Sequence, residues 1–79
     1  MRARGAYRLI HTRERRGPAF LAPEDLVERV EVVEIESGEV VLYWDLPARK
    51  AARLARALRE DLGRLEAGEF LTAWRNAQQ

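Results

Sequence analysis

The chain has 79 residues, no cysteine and a formal net charge of +1, with 13 arginines against a single lysine. That length makes one domain, residues 1–79, which buries only about 60% of its unfolded surface; the missing cysteines exclude disulfides, thiol chemistry and a cysteine-built zinc site, and fit a reducing cytosol. No run approaches the roughly 18 apolar residues of a membrane span, and MRARGAYRLIHTRERRG has no apolar core of signal-peptide length, so a cytoplasmic location is expected.

The first residues are basic: 1–16 hold six arginines against one glutamate, +5. Within them Gly5 to Thr12 alternates, with Tyr7, Leu9 and His11 on one side and Arg8 and Thr12 on the other, which predicts a first strand at about 6–13. Residues 13–18 end in Gly-Pro and read as loop. Pro23 to Leu26 suits one helical turn, with Pro and acids at its start.

Valine and isoleucine crowd RVEVVEIESGEVVLYWD, residues 29–45, and fit a pleated surface better than a helix. Strands are predicted at about 27–36 and 39–45, joined by Ser37-Gly38, where glycine supplies the positive φ of a tight turn. Residues 24–45 are acidic, with eight acids against one arginine, −7. The phase breaks at Val32-Val33. A bulge there would bring Val30, Val32, Val33 and Ile35 to one face, and a sheet covered on both sides would achieve the same end.

Asp45 is placed to cap a helix that Pro47 opens, predicted at about 46–67. Its apolar stripe is Ala51, Leu54, Ala55, Leu58, Leu62 and Leu65, with Arg49, Arg53, Arg56 and Arg64 opposite and Glu60 among them. That side reads as a solvated helix face, since a phosphate-facing helix would lack Glu60 and Asp61. Gly63 suggests a close contact, and Gly68 a stop or kink. Phe70, Leu71 and Trp74 give a short last helix at about 69–77. Residues 46–79 carry seven bases against four acids, +3. The resulting fold class is α+β: a small antiparallel three-stranded sheet in β-β-β-α-α order, with the long amphipathic helix on one face.

No motif names a function. Four glutamates along the second strand are split between its faces and do not converge as a hard cation requires, so no metal site is expected. His11 is the only histidine, and neither a nucleophile elbow nor a phosphate-cradling loop is present, so neither an enzyme nor a cofactor is expected. A site built on Tyr7, His11 and a nearby carboxylate is the one catalytic arrangement the residues allow.

Alternation along the third strand puts Val41 and Tyr43 on one face and Val40, Leu42 and Trp44 on the other. One helix covers one face, leaving an apolar patch of a kind monomers rarely expose. The C-terminal helix or a second subunit must cover it. A homodimer acting in protein interaction is the expectation, with Val40, Leu42, Tyr43, Trp44, Phe70 and Trp74 as candidate interface residues. The alternative is nucleic-acid binding through Arg8, Arg13, Arg15 and Arg16, against which strand pairing with the acidic hairpin competes for the same charges. Arginine-rich, alanine-rich composition reads as GC-rich coding and is compatible with a thermophilic source.

Overall fold

A computed structural model describes residues 1–13 and 27–78. The predicted loop at 13–18 beyond Arg13, the helical turn at 23–26, and Arg15 and Arg16 lie outside the described residues. The elements are α1 (Ala3–Ala6), β1 (Tyr7–Thr12), β2 (Val27–Glu34), β3 (Val40–Pro47), α2 (Ala48–Arg64) and α3 (Ala67–Gln78). The strands form one antiparallel sheet in the order β1-β2-β3. This is the α+β fold the sequence predicts, with α1 added.

The register sorts every strand residue onto a face. Tyr7, Leu9 and His11 line up with Glu34, Val32 and Val30, and the last two with Leu42 and Trp44. This face is the core side: Val30, Val32 and Leu42 are sealed under α2, whose Ala51, Ala55, Leu58 and Leu62 are buried. The predicted stripe is therefore the packed one. Its spacing puts all four residues on one side of a 3.6-residue helix.

α3 completes the cover on that same side. Phe70, fully buried, stacks on Tyr7 with ring centroids 5.7 Å apart, and Trp74 meets Trp44 edge-on at 6.0 Å. Both partners belong to the core face, so α3 is not the cover of the second face.

The bulge falls where the phase breaks, between Val32 and Val33, but its extra residue is on the partner strand. Val32 pairs with Leu42 and Val33 with Val40, so Val41 is the unpaired residue. One extra residue reverses the alternation beyond it. Val41 thereby packs against the core, while Val40 joins Tyr43 on the outer face, reversing the predicted sides of the two valines. Because β2 itself stays regular, Val33 and Ile35 are not brought to the core.

Two boundaries also differ. β3 runs on to Pro47, and Asp45 caps nothing because Arg29, directly opposite, takes its carboxylate. The helix break is at Leu65, not Gly68: Leu65 is extended and its carbonyl accepts from the Ala3 N–H at 2.9 Å. The Ala67 N–H donates to the Met1 carbonyl, and Arg2 donates to the Arg64 carbonyl at 2.7 Å. Residues 1–3 thus satisfy backbone groups that a helix joint would leave orphaned.

The glycines divide by conformation. Gly38 has φ +75 in the β2–β3 turn, as predicted. Gly63 lies exposed in α2, and an added Cβ would meet nothing within 4 Å, so no close contact explains it. Gly63→Ala should therefore raise stability by about 0.5–1 kcal/mol through helix propensity. Gly38→Ala should lower it by about 1–2 kcal/mol, the cost of a left-handed L-residue. Urea midpoints of the two variants should move in opposite directions for the same added methyl.

Candidate functional site

The outer face of the sheet is built from the residues that alternate with the core positions. Arg8, Val33 and Val40 form one row across the strands, Ile10, Glu31 and Tyr43 the next, and Thr12, Arg29 and Asp45 the third. Ile35 and Val27 extend it at either end. Among the described residues nothing packs over it: Ile10 is 39% exposed, Val40 47%, Tyr43 53% and Ile35 54%. Helices α2 and α3 lie on the opposite face.

Tyr43 does not simply project into water. The Arg29 guanidinium carbon sits 5.0 Å from the centre of its ring. Arg29 is itself clamped by Asp45 through a fork, Nε–H donating to Oδ1 at 2.9 Å and Nη2–H to Oδ2 at 3.0 Å. The bidentate geometry fixes the guanidinium plane, and the cation then fixes the ring. This guanidinium, through its hydrogen bond first and its charge second, holds the Asp45 carboxyl below the usual carboxylate range. At the strand's free edge the Gln78 amide donates to the Tyr43 carbonyl at 2.6 Å. The most exposed aromatic of the sheet is thus held from its side chain and from its backbone.

The sequence-based interface candidates divide between the two faces. Val40 and Tyr43 are on the open face. Trp44 and Trp74 are half-buried against each other on the core side, where the Trp74 indole N–H donates to Asp61 at 3.1 Å. Leu42 and Phe70, 1% and 0% exposed, have no surface to offer a partner. Alternation alone missed Ile10, Val33 and Ile35, since the face can be assembled only when the register is known. Of the nucleic-acid candidates, Arg8 is exposed on the open face and Arg13 is exposed at the end of β1.

His11 is not in open solvent. Its side chain is 7% exposed and shares a 2.7 Å hydrogen bond with Glu28, 16% exposed. An ionised carboxylate only accepts, so Nε2 carries the hydrogen. Tyr7 is on the same face but four residues away, about 13 Å along the strand, so the three groups do not converge on one substrate atom. Among the described residues no three histidine or acidic side chains are grouped to hold a metal ion, and no helix is long and apolar enough to cross a membrane. Comparison with protein-family models, curated proteins and solved structures finds no match for the chain.

Proposed function

We propose that the chain is a protein-interaction domain that self-associates through the open face of its sheet, two copies packing face to face. The observation that carries this is the contiguous apolar surface of Ile10, Val33, Ile35, Val40 and Tyr43 in a sheet whose other face is the one packed against α2 and α3. Among the described residues no second layer covers it. Tyr43, fixed by Arg29 and Asp45, is an anchor whose ordering cost is met before binding.

The charges favour a second copy as the occupant. Arg8 and Glu31 lie on this face, and neither has an ion partner among the described residues. Two copies related by a two-fold axis offer each group the opposite sign, and two twisted sheets pack at about 30° with their apolar rows interdigitated. A three-stranded face is small for a stable interface, so micromolar affinity is expected.

Sedimentation velocity from micromolar to near-millimolar concentration is the test. The wild-type chain should shift from monomer toward dimer. Tyr43→Asp should remain monomeric at the concentration where the wild type is half dimeric, with an unchanged far-ultraviolet circular dichroism spectrum. A wild type that stays monomeric throughout, or a Tyr43→Asp chain that dimerises as the wild type does, overturns the proposal. A monomeric wild type whose Tyr43 is shielded from quenchers would assign the face to residues 14–26 instead.

A further inference from the structure

The outer surface of α2 carries a charge arrangement that the fold does not use. Residues 48–59 hold Arg49, Lys50, Arg53, Arg56 and Arg59 and no acid. All five are exposed, and none has an ion pair among the described residues. Arg49, Arg53 and Arg56, at i, i+4 and i+7, share one stripe, with Lys50 and Arg59 flanking it. The first turn of α2 has no acidic residue and no side-chain cap, so Arg49 and Lys50 sit against the positive end of the helix dipole. Of the acids further along, Glu60, four residues after Arg56, is exposed on the same stripe and closes its C-terminal end. Asp61 is engaged by Arg64 at 2.7 Å and by Trp74.

Topology concentrates this charge at one end of the molecule. β1 ends at Thr12, β2 begins at Val27, β3 ends at Pro47 and α2 begins at Ala48, all at the same end of the sheet. Arg13 is there too. Glu34, Glu36 and Glu39 are at the hairpin, the opposite end. Among the described residues the acids at the basic end are already occupied, Glu28 by His11 and Asp45 by Arg29. A molecule with a net charge of only +1 thus presents a helical ridge of five cations over residues 49–59, with Glu60 at its C-terminal end.

We infer that this ridge binds the phosphate backbone of duplex nucleic acid without reading sequence. Between the cations lie only Ala52 and Ala57, with no aromatic side chain on which a base of a single strand could stack. The apolar stripe of α2 is buried in the core, so no face remains to enter a lipid surface. Arginine forks suit phosphate oxygens. From Arg49 to Arg59 the ridge is about 15 Å long and, as the exposed side of a helix, fits against a groove about 12 Å wide. The site is independent of the proposed dimer: α2 and the open face are on opposite sides of the sheet, so a face-to-face dimer would carry two such ridges facing outward.

Fluorescence anisotropy with a labelled 20-base-pair duplex, the matching single strand and a second duplex of unrelated sequence tests this at low ionic strength. Both duplexes should bind equally and more tightly than the single strand. Arg49→Gln/Arg53→Gln/Arg56→Gln should weaken duplex binding at least tenfold. It should also reduce the slope of log affinity against log salt by about 2.7, at roughly 0.9 per phosphate contact. Its thermal midpoint should match or exceed the wild type, because repulsion on the helix is relieved. Arg8→Gln, on the other face, should bind as wild type. No salt-sensitive duplex binding, unchanged affinity in the triple variant, or equal competition by poly-glutamate would each overturn the inference, the last by making the ridge a receptor for acidic polypeptides.

Discussion

Phe70→Ala is expected to cost about 3–5 kcal/mol, the range for removing a fully buried phenyl ring. A domain of this size has about 4–12 kcal/mol in total, at the usual 0.05–0.15 kcal/mol per residue. The loss is therefore a large part of the whole. Phe70 is the only fully buried side chain of α3. It stacks on Tyr7, lies 6.4 Å from the Trp74 ring, and so ties the last helix to the first strand. A helix of 12 residues is marginal alone in water, so it depends on this anchor. In thermal unfolding the midpoint should fall by roughly 15–30 °C, or no cooperative transition should remain. Hydrogen exchange should show α3 deprotected before the sheet. Tyr43→Ala, an aromatic of similar size on the open face, should leave the monomer's midpoint nearly unchanged. A Phe70→Ala chain as stable as the wild type but defective in self-association would return Phe70 to the interface role its sequence context suggests.

That contrast shows which properties could be read from the sequence. The helix stripe was legible because a 3.6-residue period is local: Ala51, Ala55, Leu58 and Leu62 announce their common face without knowledge of any partner. The hairpin was legible from β-branched residues on both sides of Ser37-Gly38. The phase break at Val32-Val33 correctly located an irregularity. It could not say which strand absorbs the extra residue, because pairing is a property of two strands, and the answer decided whether Val40 or Val41 faces out. The role of Asp45 failed for a similar reason. Its local context, just before a proline, fits a cap, but an arginine sixteen positions earlier lies directly opposite it in the sheet and offers a fork. α1 and the docking of residues 1–3 could not be read locally, since the bonds from Ala3 and to Met1 are made by backbone and the Arg2 guanidinium meets a carbonyl far along the chain, that of Arg64. The candidate surface was partly legible for the same mixture of reasons. Tyr43 was visible as an aromatic on a two-faced strand, whereas Ile10 and Val33 become its neighbours only through register.

The second large effect concerns His11 and Glu28, and it separates a structural role from a chemical one. The two side chains are brought together diagonally, since His11 faces Val30 and Glu28 is two residues before it on the same face. They lie where the sheet's core face meets its end, with 7% and 16% exposure. A pair this far from water gives little when both partners are present and costs much when one is removed, because the survivor keeps its desolvation without its hydrogen bond. His11→Ala should therefore destabilise by about 3 kcal/mol, and Glu28→Ala by about 1–3 kcal/mol. The double alanine variant should cost clearly less than the sum, since the second deletion removes the orphan left by the first. Glu28→Gln should cost less than Glu28→Ala, because its amide oxygen accepts from the same Nε2–H. Urea unfolding of the four variants closes the cycle. Additive costs would mean the contact is incidental to stability.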